Sequence, residues 1–175
     1  MLIKEQRIVA DSWRLLSRGP KSEVPAQGDV IVPIALWLAR REAFLAYPRK
    51  LGVWLDANEG PEAIAVDLQR FALVAVNFPT FGDGRGYSTA RLLRERYGYR
   101  GELRAIGDVL HDHLHFMKQC GFDAFVLRED QNALEALSAL DTFSEGYQTS
   151  VLRPAPLFRR RLAAGRSATR HWRRE

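Results

Sequence analysis

The sequence predicts an α/β fold: about five successive strand–helix units around a mainly parallel sheet, with an N-terminal hairpin. Three observations carry that expectation. Short apolar or β-branched runs alternate with segments of helical period from Asp29 to Leu140. The run Ala72–Phe78 is apolar on both faces, which suits a parallel strand covered by helices. Polar clusters follow the strand ends: Asp56-Ala57-Asn58-Glu59, Asn77, Asp108 and Arg128-Glu129-Asp130. Barrels and open sheets both bind ligands at that edge. Five units are too few for a full barrel, so an open Rossmann-like sheet and a partial TIM-barrel-like sheet are the two candidates.

Taken in order, Leu2–Val9 and Ser12–Leu16 read as a hairpin turning at Ala10-Asp11. Ser17–Gly28 is polar and carries Gly19-Pro20 and Pro25, so it reads as a loop. Asp29–Pro33 is a β-branched strand, and Ile34–Tyr47 a helix stopped by Pro48. Leu51–Leu55 is the next strand. Pro61–Phe71 reads as a helix with proline in its first turn, and Ala72–Phe78 as a strand. Thr89–Tyr97 is a helix with Ser88 as its N-cap and Gly98 just past its end. Leu103–Ile106, the helix Val109–Cys120, Ala124–Leu127, the helix Asn132–Leu140 and a last strand at Gln148–Leu152 complete the pattern.

One domain over residues 1–152, with a basic tail over 153–175, is the expected organisation. The formal charge is +5, but Arg153–Glu175 holds eight arginines and one glutamate. Subtracting that +7 leaves −2 for residues 1–152, so the basicity belongs to the tail and nucleic acid is not the expected partner. The lone Cys120 excludes an internal disulfide and fits a reducing compartment. With no long apolar run and no signal-peptide core, a cytoplasmic protein without membrane contact is expected.

Phe78–Phe125 holds the candidate chemistry. Gly82-Asp83-Gly84-Arg85-Gly86 lies between a strand and a helix. Glycines let backbone N–H groups approach an anion, and Ser88, Arg85 and Arg91 would add donors. The order fits neither GxGxxG nor GxxxxGK[ST], so a simple chain reversal stands beside the anion-binding reading. His111 and His115, spaced one helical turn apart near Asp108, are the candidate metal ligands. His113 points away, HExxH is absent, and the expectation is a histidine-bearing solvated face without metal. Cys120 at a helix C-terminus reads as a buried structural thiol. Tyr87, Arg91, Arg94, Arg96, Tyr97, Tyr99, Arg100 and Arg104, diluted by Asp83, Glu95 and Glu102, read as an ordinary charged surface.

The strand LGVWLDANE, the segment FPTFGDGRGYSTARLLRERYGYRGELRAIGDVL and the following CGFDAF resemble DUF934, a bacterial family of uncharacterised proteins. The resemblance runs roughly from Asp29 to Leu152, and the GDGRGYS-ARLLR segment is specific to it. Members are commonly labelled as oxidoreductases of sulfite reduction, largely from gene association with assimilatory sulfite reductase. The resemblance therefore implies sulfur assimilation, with sulfite reductase as a partner. The residues name no cofactor: no dinucleotide fingerprint, iron–sulfur or haem cysteine set, or redox cysteine pair is present. Two functions follow as expectations. One is a non-redox accessory protein using Gly82–Gly86, Arg85 and Arg91 on an anionic ligand or an acidic partner surface. The other is an enzyme, an oxidoreductase among the options, with Asp56, Asn77, Asp108 and Arg128 at the strand ends and Asp108 first for acid–base work.

Overall fold

The computed structural model describes residues 1–19, 25–140 and 147–162 and is an α/β fold built on one curled eight-stranded sheet. The strands are β1 Leu2–Lys4, β2 Arg7–Val9, β3 Trp13–Leu15, β4 Asp29–Pro33, β5 Leu51–Leu55, β6 Leu73–Phe78, β7 Glu102–Gly107 and β8 Ala124–Val126. Their spatial order is β2-β1-β8-β7-β6-β5-β4-β3. Pairing is parallel from β3 through β8, and antiparallel where β1 joins β8 and β2 joins β1. The sheet is thus mixed where a mainly parallel one is expected. No reversal of order occurs between β3 and β8, so the sheet has no Rossmann-type switch point.

Chain reach requires the curl. Val9 ends β2 and Trp13 begins β3, so the two sheet edges are joined by Ala10–Ser12. Four residue steps span at most about 14 Å. Seven strand spacings in a flat sheet would be about 33 Å. The hairpin turns at Glu5-Gln6, both with positive φ (50° and 57°), and not at Ala10-Asp11. Glu-Gln carries none of the usual glycine or asparagine signal for that turn, which is why the sequence hides it.

The helices are α1 Ile34–Ala39, α2 Arg41–Leu45, α3 Arg85–Arg91, α4 Leu114–Cys120 and α5 Ala133–Ala139. They pack on the outer face, where Val30, Val53, Val74 and Leu103 meet Trp37, Leu93, Leu114 and Met117. The inner face holds a smaller cluster of Ile31, Trp54, Leu73, Ala75 and Ile106. The alternation within each strand follows from the period of two.

The expected strand–helix repeat is less regular than the pattern suggests. The 34–47 helix breaks at Arg40 (φ −131°), and Pro61–Phe71 becomes 3-10 turns at Pro61–Ile64 and Leu68–Arg70. At that second break Asp67 is buried and holds Arg41 bidentately, at 2.7 and 2.6 Å. α3 begins four residues before Thr89, so Ser88 lies inside it and caps nothing, and Leu92–Arg96 continues as a π-helix. α4 is preceded by a 3-10 turn at His111–His113 and ends at left-handed Gly121. Asn132 does cap α5, accepting from Leu134 N at 2.9 Å. Residues 148–152 form turns and bends, with no last strand. Of the tail, residues 157–162 are helical; residues 163–175 lie outside the described residues. Among the described residues no helix is long and apolar enough to cross a membrane.

Candidate functional site

The carboxyl edge of β5, β6, β7 and β8 gathers Asp56, Asn77, Asp108 and Arg128 into two hydrogen-bonded groups. In the first, Asp56 Oδ1 accepts from Asn77 Nδ2 at 2.8 Å and from Ala57 N at 2.9 Å. Arg18, from the loop after β3, reaches Asp56 at 3.1 Å and Glu59 at 2.7 Å, and lies 4.9 Å over the Trp54 ring. Burial works to raise the Asp56 pKa, but the Asn77 and Ala57 hydrogen bonds and the Arg18 and Arg85 charges hold it below the usual value. In the second group, Asp108 accepts from Phe81 N at 2.7 Å and pairs with Arg128 at 2.6 Å. Arg128 also grips Asp130 at 2.6 Å, and that hydrogen bond pulls Asp130 down to about 2.

Gly107 brings the two groups together. Its φ is +91°, and a Cβ there would overlap Asn77 Oδ1 and the Phe78 carbonyl. Only glycine lets β7 leave the sheet so close to β6.

The Gly82–Gly86 loop lies beside this edge. Gly84 is the residue before α3, and Gly86 presses on the Phe78 ring, where a Cβ would come within 2.6 Å. Gly86 therefore serves close packing of helix on strand. Arg85 is turned onto Asp83 within the loop, Nε to Oδ1 at 2.9 Å and Nη2 to Oδ2 at 2.6 Å. That bond lowers Asp83 to about 2. An anion arriving here would have to displace Asp83. Arg91 pairs with Glu95 at 3.3 Å on an exposed helix face. The Asp83 pairing has a direct test. By carbon-13 NMR, Asp83 is expected to titrate near 2, and Arg85→Ala should return it toward the ordinary aspartate value. Its contribution to stability is present above the unfolded pKa and fades as pH falls from about 4 toward 2. An unmoved Asp83 in the variant would break the assignment.

His111 and His115 do not share a site. His111 lies in the 3-10 turn with Nδ1 2.8 Å from Gln131 Oε1, and His115 in α4 with Nδ1 3.4 Å from the Leu140 carbonyl. The turn breaks the single-helix spacing that would align them. Among the described residues no group of three histidines, cysteines, aspartates or glutamates is placed to hold a metal. Cys120 is buried, and burial pushes its thiol pKa up.

Two arginines of the expected surface are internal. Arg94 donates to the Gly121, Tyr99 and Gly101 carbonyls at 2.8–2.9 Å and pairs with Asp123 at 2.7 Å. Arg104 is buried on the inner face of the sheet, 1% exposed. Sequence reasoning also passes over Phe81, which is exposed and stacks on His113 with ring centroids 4.5 Å apart. Near it Phe116, equally exposed, packs edge-on against Tyr87 at 4.8 Å. A solitary phenylalanine in a glycine-rich loop gives no periodic signal. Arg18 is likewise hidden in a polar loop, while Glu59 and Asp130 are legible as members of their clusters.

No curated protein matches the chain. A family model does match residues 52–158, more than half of the chain: the chain belongs to DUF934, described as bacterial protein of unknown function.

Proposed function

We propose that the chain is a non-catalytic accessory protein of sulfite reduction in the cytoplasm, docking on sulfite reductase through the carboxyl-edge surface around Phe81. The pathway and the partner rest on the resemblance to labelled family members. The accessory role rests chiefly on one observation. At this edge Asp56, Asp83, Asp108 and Asp130 are each ion-paired with an arginine, and those whose pKa values move, Asp56, Asp83 and Asp130, move down. General acid–base work at neutral pH needs groups poised near 7. Outward ion pairs beside an exposed aromatic cluster instead resemble an interface, with an aromatic anchor inside a charged rim. Arg85 and Arg91 can exchange Asp83 and Glu95 for carboxylates of an acidic partner surface.

The test is reconstitution. Full sulfite reductase activity should require the chain, and Phe81→Ala should weaken the complex by about 2 kcal/mol, roughly 30-fold. Deleting the gene should impose a cysteine requirement that sulfide relieves. Sulfite reductase at full activity without the chain, and no complex by light scattering, would end this reading.

The enzyme reading keeps one supporting observation, an apolar cavity of about 330 Å³ lined by Arg18, Pro33, Leu36 and Glu59 beside Asp56. Turnover of a small molecule by the purified chain, lost in Asp108→Asn, would favour it.

A further inference from the structure

A second cavity, about 350 Å³, opens on the inner face of the sheet at the amino-terminal end of β7, between the hairpin and the Ala10–Ser12 crossing. It lies away from the carboxyl edge and is independent of the docking surface proposed above. Its wall is built of charge where the rest of the inner face is apolar. Arg104 donates from Nε and Nη2 to Glu102 Oε1, both at 2.7 Å, and from Nη1 to Asp11 Oδ2 at 2.8 Å. Lys4 meets the other Glu102 oxygen at 2.8 Å. Two cations and two carboxylates are therefore engaged with each other.

Two charges on the same wall hold no ion pair or hydrogen bond among the described residues: Arg7 on β2, and Glu5 in the hairpin turn, whose charge acts on Lys4 only through space. They stand on either side of Gln6 and do not pair together. A bare anion would meet one open cation and one open carboxylate in a wall whose other charges already balance; a bare cation faces the mirror problem. Like-charge juxtaposition at a binding surface costs several kcal/mol, which selects against both. A molecule carrying one charge of each sign satisfies both groups. Trp13, with Leu2 and Val9, gives the cavity an apolar side, and its volume is at the small end of ligand sites.

We propose that this cavity binds a small zwitterion of amino-acid size, its carboxylate on Arg7, its ammonium on Glu5 and its side chain against Trp13. The Glu102–Arg104–Asp11 network, buried at Arg104, keeps the cavity open by holding the Ala10–Ser12 crossing over the sheet, and it supplies no free charge of its own.

The experiment titrates the full chain with glycine, serine, leucine and phenylalanine, following tryptophan fluorescence and heat. The tightest of them is then tested as its N-acetyl and its methyl-ester derivative. At least one amino acid should bind saturably below about 10 mM, and each blocked form should bind about tenfold or more weakly. Arg7→Met, which keeps the apolar stem, and Glu5→Gln, which keeps the side chain's length and shape, both at exposed positions, should each cost the same factor, with Phe81→Ala neutral. No saturable binding by any of the four would overturn the site. Equal binding of the N-acetyl form would make it an anion site and equal binding of the ester a cation site, and either result refutes the zwitterion. Loss of binding in Phe81→Ala would place the ligand elsewhere.

Discussion

Replacing Arg104 by alanine is expected to cost about 3–5 kcal/mol of folding stability. Arg104 is 1% exposed, and its guanidinium holds Glu102, whose side chain is 9% exposed, together with Asp11 from the edge-to-edge crossing. Removing it leaves Glu102 buried with only the half-exposed Lys4 against it. Uncompensated buried charge is the dominant loss; the volume left by the side chain adds to it. The same reasoning predicts partial rescue. Arg104→Met with Glu102→Gln removes both buried charges and should recover more than half of the deficit, because paired removal escapes the desolvation penalty. Urea unfolding measures both. A single-variant loss below about 1 kcal/mol would mean that water reaches and compensates Glu102.

Gly107→Ala is expected to cost about 2–4 kcal/mol, from left-handed backbone strain and from overpacking against Asn77 and Phe78. Phe78 contributes a backbone carbonyl at that point, so the cheaper response is for Asn77 to move. Asn77 is the side-chain donor to Asp56. The variant should therefore combine a lower urea midpoint with an Asp56 pKa shifted upward toward its ordinary value, read by NMR. A fall in stability with Asp56 unmoved would show that Asn77 holds its place and that the strain is taken by the backbone.

The strands β4 to β8 are legible because apolar runs such as Val30-Ile31-Val32 and Leu73–Val76 admit few other readings. The gathering of Asp56, Asn77, Asp108 and Arg128 at one edge is legible for the same reason: Asp56, Asp108 and Arg128 follow their strands, and Asn77 lies at the end of β6. What escapes is set by distant contacts. Arg104, between Leu103 and Ala105, looks like the solvated face of a strand, and curling of the sheet turns that face into an interior. Ile64, Leu68 and Phe71 have helical spacing and are buried, yet the chain between them forms tight turns held through Asp67 and Arg41. Arg85 reads as a free cation because nothing in GDGRG reveals that its neighbour two residues back will occupy it. Glu5-Gln6 turns the chain against its own propensity, with the docking of β1 on β8 to fix the conformation.

That docking has a consequence for how the protein is made. Lys4 pairs with Ala124, so the first strand waits for a partner 120 residues later in the chain. At synthesis rates of 5–20 residues per second the delay is roughly 6–24 s. Throughout it, the Leu2–Val9 segment is tethered to a growing sheet whose other edge it will close last. Once β8 is made, its open edge can recruit strands from neighbouring molecules until the hairpin arrives to cover it. Completion of the sheet thus competes with intermolecular pairing, and the yield of folded protein should fall more steeply with concentration than local element strength alone would suggest.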